Sequence, residues 1–202
     1  MPGRIVVLIS GAGSNMDALV RACRVGRVPG EVVAVAADRA CDGLATAREH
    51  GIETLVLDPR GFATREEWSA CFRDLVAGFT PDLVVSAGFM RILSPVFVHA
   101  FSGRLINLHP SLLPAFPGAH AVRDALESGA AATGSTVHFV DDQVDHGPVI
   151  LQRSVPIQPG DTEESLHERI KAVEHELLPE ACRLVLGGHV VLDGDRVKRS
   201  EG

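Results

Sequence analysis

Apolar positions in the first half of the chain fall into short, unbroken runs. RIVVLIS (4–10), EVVAVAAD (31–38), ETLVLD (53–58) and PDLVVSAG (81–88) each end in, or run straight into, a Gly, Asp or Pro. Continuous runs of that length are expected of strands buried on both faces, as in a parallel sheet. Helical spacing separates them at 15–24, at 44–50 and from Thr64 to Gly78. The last begins with Thr64-Arg-Glu-Glu67, the form of a capping box, and turns Trp68, Phe72, Leu75 and Val76 to one face. The period is strand, helix, strand.

The second half changes rhythm. RLINLH (104–109), TGSTVHFV (133–140) and PVILQRSVPI (148–157) read as strands with only one helix, 120–128, among them. The pair 133–140 and 148–157 is therefore expected to be antiparallel. From 162 to 185 the positions Leu166, Ile170, Val173, Leu177, Ala181 and Leu184 recur at threes and fours, and Asp161 with Glu164 supplies a start signal for one long helix. No repeat, low-complexity tract or linker interrupts this order. One α/β domain over 1–202 follows, with a mixed, mostly parallel sheet and helices on both faces.

Composition agrees with a single core: 202 residues at 46% hydrophobic. A formal charge of -7 argues against general affinity for nucleic acid or membrane surfaces, so any anionic ligand has to be held by local groups. No apolar run approaches the length of a bilayer span. The cysteines at 23, 41, 71 and 182 form no C-x-x-C pair, and the N-terminus shows no charged, apolar leader, which points to a reducing cytoplasm. All four are expected to be buried, unreactive thiols.

Candidate chemistry begins at INLHPSLLPAFPG (106–118), where prolines at 110, 114 and 117 exclude helix interior and central strand. It is a shaped loop after a strand, the usual address of ligands in open α/β sheets. If the loop at 141–147 approaches that strand end, Asn107, His109 and a carboxylate, Asp145 for preference, meet in one cleft. An amide donor beside an imidazole, with no Ser or Cys nucleophile, suits an oxyanion developing on a carbonyl under attack, and so acyl transfer. The plain alternative is a structural histidine.

SGAGSNMDAL (10–19), with Asp38 ending the next strand, imitates a dinucleotide fingerprint. Met16 stands where the third glycine belongs, which disfavours that reading. Ser14 and Asn15 at a helix start fit either a phosphate monoester or a simple helix cap.

Taken together, GxGSN in the first loop, NLHPSLLP, Asp145-His-Gly-Pro148, LVVSAGFMRILSPVFV (83–98) and TVHFVDDQVDHGPVILQ (136–152) resemble the folate-dependent formyltransferases over nearly the whole chain. The resemblance implies a single-domain Rossmann-like fold. It also implies transfer of the formyl group of 10-formyltetrahydrofolate to the amine of glycinamide ribonucleotide, a step of purine biosynthesis. Asn107, His109 and Asp145 would then be catalytic. Gly13, Ser14 and Asn15 would hold the ribonucleotide phosphate, Glu174 its ribose, and Lys171 a further phosphate charge. Met90, Ile92 and Leu93 would wall the folate pterin, with the loop from Val140 through Asp141 to Asp145 closing the other side. Arg91 and Arg65 would take its tail carboxylates. The nucleotide-phosphate half would span about 1–100 and the folate and catalytic half about 101–190. His120 and His138 are weaker candidates, and no metal is implied. His146 departs from the family pattern, which has glycine there.

Other readings share the trio. A methionyl-tRNA formyltransferase is expected to carry a basic C-terminal domain, and a formyltetrahydrofolate hydrolase an N-terminal regulatory one; sugar-nucleotide formyltransferases are a third option. A silent ligand-binding α/β module leaves Asn107, His109 and Asp145 without a reason. No sequence feature assigns an oligomeric state, a homodimer included.

Overall fold

Strand β1 (Gly3–Ile9) shows why both faces of the sheet are covered: Ile5, Val7 and Ile9 enter one apolar core, Val6 and Leu8 another, all fully buried. The computed structural model describes residues 1–200. Around β1 lie β2 (Gly30–Ala37), β3 (Glu53–Val56), β4 (Leu83–Ser86), β5 (Leu105–His109), β6 (Ala132–Phe139) and β7 (Val149–Pro156), in the order β3-β2-β1-β4-β5-β6-β7. The first five run parallel, β6 is antiparallel to β5, and β7 is antiparallel to β6. The expected mixed sheet and the antiparallel pair are both present.

Helices α1 (Ser14–Arg24), α2 (Asp42–Glu49) and the C-terminal half of α6 (Glu163–Leu186) cover one face; α3 (Arg65–Ala77) and α4 (Pro95–Ala100) cover the other. Helix α5 (Ala121–Glu127) packs through Val122 on Val155, Leu166 and Ile170 in a smaller cluster. On the α3 side Trp68, Phe72, Phe89 and Phe97 form a stacked run, with centroids 5.0 Å apart for Trp68–Phe72 and 5.6 Å for Phe72–Phe89. Truncating a buried ring such as Phe72 to Ala costs roughly 3–5 kcal/mol. Because Phe89 belongs to the run, the stack also anchors the segment after β4.

Several expectations need correction. The strand expected at 81–88 is regular only over Leu83–Ser86, with Asp82 and Ala87 N–H still bonding β1 at Arg4 O and Leu8 O; Pro81 lacks an N–H and Gly88 turns with φ +76°. The start of α6 is set by Thr162 and Ser165, whose side chains and backbone N–H groups bond reciprocally; Asp161 instead accepts from Arg169 and the Gln158 N–H. At α3, Thr64 caps the Glu67 N–H as expected, but Glu67 returns its bond to Ala63. Of the four cysteines only Cys182 is fully buried; Cys23, Cys41 and Cys71 are partly exposed, and all four are free. Helix α4 and the hairpin β8 (Val190–Asp193) with β9 (Arg196–Arg199) had no expectation. No helix among the described residues is long and apolar enough to cross a membrane.

Candidate active site

β1 and β4 are neighbours whose connections leave in opposite directions, so a crevice opens at their carboxyl ends, where doubly wound sheets bind ligands. Gly11 to Gly13 leave β1 there. Gly13 is the N-cap of α1 with φ +75°, and a Cβ on it would run against Gly43, so the position demands glycine. No side chain caps α1; the helix-cap reading of Ser14 and Asn15 is removed. Asn15 donates instead to Glu174 Oε2 at 2.8 Å, while Ser14 sits in the first turn beside unsatisfied N–H groups. Met16 is fully buried against this turn and fills the space a dinucleotide fingerprint keeps open.

The other imitation of that fingerprint, Asp38, is committed elsewhere. Arg39 and Arg91 both pair with its Oδ2 at 2.8 Å, and Oδ1 is buried without a geometric partner. Burial alone would raise this carboxyl, but the hydrogen bonds from the Arg39 and Arg91 guanidiniums help outweigh it and hold the pKa below the ordinary aspartate value.

The register of β5 on β6 sets the centre of the cleft, placing Asn107 opposite His138 and His109 opposite Thr136. Asn107 Nδ2 lies 3.2 Å from His138 Nε2 and 3.4 Å from Asp145 Oδ1. The other nitrogen of His138, Nδ1, faces the Phe139 carbonyl at 2.8 Å and so carries the proton, leaving Nε2 to accept from the amide. Burial pushes the His138 imidazole below its usual value, against the pull of Phe139 O and Asp145. A neutral His138 thus fixes which way the Asn107 amide points.

His109 Nε2 donates to the Phe116 carbonyl at 2.9 Å, and Nδ1 lies 3.4 Å from Asp145 Oδ2. Each ring nitrogen thus faces an oxygen. Asp145 Oδ2 also accepts the Gly118 N–H at 2.8 Å. The proline-pinned loop therefore supplies two backbone groups, Phe116 O and Gly118 N–H, that orient the pair. Behind them Ser135 donates to His109 O or Glu174 Oε1, each 3.1 Å away, and links the imidazole strand to the carboxylate that holds Asn15.

The structure thus brings Asn107 and His109 each to 3.4 Å from Asp145, with Asn15 and Glu174 joined to the same strand end through Ser135. Met90 and Ile92 expose large apolar side chains on the β4 side of the crevice, where Met90 N–H bonds the Ser10 hydroxyl. Leu93 and Val140 pack on the same core as Phe89 and so tie this segment to the loop after β6. Three assigned charges are engaged differently from the sequence expectation: Arg91 with Asp38, Lys171 with Glu168 at 2.7 Å, and Asp141 with His146 and the Gln143 N–H. Arg65 pairs with its neighbour Glu66 at the exposed start of α3, and His120 precedes α5 without capping it. His138, Ser135 and Gly118 carry more of the site than their sequence signal conveyed.

Residues 3–182 match the profile of the family described as formyl transferase. The chain belongs to that family. A phosphoribosylglycinamide formyltransferase of Mycobacterium tuberculosis is 48% identical over 180 residues, covering 89% of this chain and 83% of that protein. The protein of the same name in Escherichia coli (strain K12) is 48% identical over 176 residues, covering 87% and 83%. Among solved structures, glycinamide ribonucleotide transformylase 1 of Symbiobacterium toebii superposes with a TM-score of 0.96 at 46% identity, covering 99% of this chain and 95% of that one. The α/β formyltransferase fold with a mixed, mostly parallel sheet expected from the sequence is the fold observed.

Proposed function

We infer that this formyl transferase moves the formyl group of 10-formyltetrahydrofolate to the amine of glycinamide ribonucleotide, a step of purine biosynthesis. The observation that carries the reading is the convergence of Asn107, His109 and Asp145 within 3.4 Å contacts, on a strand end and two loops of one crevice. The names of the relatives supply the acceptor and agree with the donor.

The crevice fits both ligands. Exposed Met90 and Ile92 suit the flat faces of a pterin, and the Arg91 guanidinium, held through Nε by Asp38, keeps its terminal N–H groups for a tail carboxylate. When bound, the folate supplies an activated formyl carbon. The Ser14 turn and the free N–H groups of α1 suit a phosphate monoester, with Lys171 a further cation. Glu174, buried between Asn15 and Ser135, can accept from a ribose hydroxyl. Both halves of the chain thus contribute to the ribonucleotide side.

At the reacting centre Asn107 presents an N–H to the carbonyl oxygen as negative charge grows on it, exchanging its long contact with Asp145 for that oxygen. His109 presents the second donor by exchanging its Nε2 bond to the Phe116 carbonyl for the same oxygen. Asp145 is the base that takes a proton from the attacking amine, and the proton passes to the folate nitrogen as its bond to the formyl carbon breaks and the new carbon–nitrogen bond to the amine is complete. A cytoplasmic setting accords with four free thiols. The test is direct: purified protein is mixed with both substrates, and formylated product is followed with the deformylated folate. Transfer to a different amine and not to glycinamide ribonucleotide would overturn the acceptor assignment.

A further inference from the structure

Asp145 reaches Asn107, His109 and Gly118 from a backbone with φ +53°, in the left-handed region. A non-glycine residue stays there only when its surroundings over-determine it. Part of that constraint is visible at Gly147, where a Cβ would run into the Phe139 carbonyl; the absence of a side chain lets the two ends of the loop close on each other. Two histidine–aspartate contacts also tie this loop down. Inside the loop, His146 Nδ1 meets Asp141 Oδ2 at 2.8 Å, and Asp141 Oδ1 accepts the Gln143 N–H at 2.9 Å. Outside it, His99 at the end of α4 meets Asp142 Oδ2 at 2.9 Å. The residue directly after Asp145 is thereby fastened to the first turn of the loop, and that turn to the α4 side of the domain.

His146 makes no hydrogen bond to Asn107 or His109, and most of its side chain is exposed. Its influence on the reaction has to pass through the loop. We propose that His146 is a positioning residue, which holds Asp145 in its left-handed conformation by closing the loop onto Asp141. The role belongs to this chain's own residues: a glycine at 146 offers no side chain to bond Asp141. It also reassigns Asp141, whose carboxylate is spent on loop shape and is not free for a ligand.

The activity part of the proposal rests on the reading above, so the experiment pairs kinetics with a measurement that needs no substrate. In His146→Ala the Gln143 amide should exchange with solvent faster than in the parent, because Asp141 loses the partner that orders it. Formyl transfer should fall about 3–10-fold in kcat, the value of one ordinary hydrogen bond, with the KM for the ribonucleotide unchanged. His146→Gln, whose amide can donate to Asp141, should recover most of both losses. Asp141→Asn should add little to His146→Ala in a double-mutant cycle, since the two share one contact. Exchange at Gln143 indifferent to His146→Ala overturns the proposal whatever the enzyme's substrates are. So does full turnover in a folded His146→Ala protein, or additive losses in the cycle. A parent protein that transfers no formyl group defeats the functional reading alone and leaves the exchange measurement to decide on the clasp.

Discussion

Replacing Asp145 by Asn keeps the side-chain shape and removes the charge at the point where three contacts meet. The Gly118 N–H, 2.8 Å away, still needs an acceptor, so the new amide oxygen takes the Oδ2 place. Its NH2 group then faces Asn107 Nδ2, donor against donor, where Oδ1 had accepted at 3.4 Å. The amide meant for the carbonyl oxygen is pushed off its line to His138. His109 Nδ1, 3.4 Å from Oδ2, then faces a neutral amide in place of a carboxylate, and the attacking amine loses its base. A positioned proton-transfer group is worth ~10²–10⁴ in rate, which sets the size of the loss. The expected outcome is a kcat lower by ~10²–10⁴, with the KM for glycinamide ribonucleotide little changed, since Asp145 acts on the transition state. Steady-state rates with circular dichroism as a folding control decide it. Near-parental turnover in a folded Asp145→Asn protein would refute the assignment of the base and the argument from the three contacts together.

Ser14→Ala should raise the KM for the ribonucleotide by about 10–150-fold, the equivalent of ~1.5–3 kcal/mol for a charge-assisted bond, and leave the folate KM alone; an unchanged ribonucleotide KM would remove Ser14 from the phosphate site. His138→Ala should lower kcat by roughly 10²-fold through loss of the Asn107 orientation, and His138→Gln, which restores an acceptor, should regain part of it; equal damage from both would mean the ring is needed for packing alone. Asp38 has a folded pKa below its unfolded value, so the stability it contributes is present above about pH 4 and is lost as pH falls through the folded pKa. Thermal scans at about pH 5 and about pH 3 should accordingly show a smaller drop in Tm for Asp38→Asn than for the parent.

The strand and helix order was legible in the sequence because each element is declared locally. Runs such as RIVVLIS have no polar face to offer solvent, the glycines of the first loop forbid helix, and Leu166 to Leu184 repeat at helical spacing over a length no strand reaches. The motifs marked Asn107, His109 and Asp145 for the same reason: unusual residue types stood beside prolines and glycines that fix the backbone. The short helix α4 and the hairpin β8–β9 were not legible, since a six-residue helix shows too little of a period and the second hairpin strand, RVKR, is mostly charged, without the apolar run that marks the equally short β3 and β4. The contacts that join the trio were equally out of reach. Asn107 meets His138 only because β5 and β6 pair in one register, and a slip of one residue would turn His138 to the other face of the sheet. Lys171, Arg91 and Asp141 kept their charges but found partners that no spacing along the chain predicts, since ion pairs are settled by distances in space. The sequence therefore determined which groups the protein owns and roughly where each lies on its strand or loop. The tertiary structure decided which of them touch, because contact at a few ångströms depends on strand register and loop closure, and these are set by the packing of the whole domain.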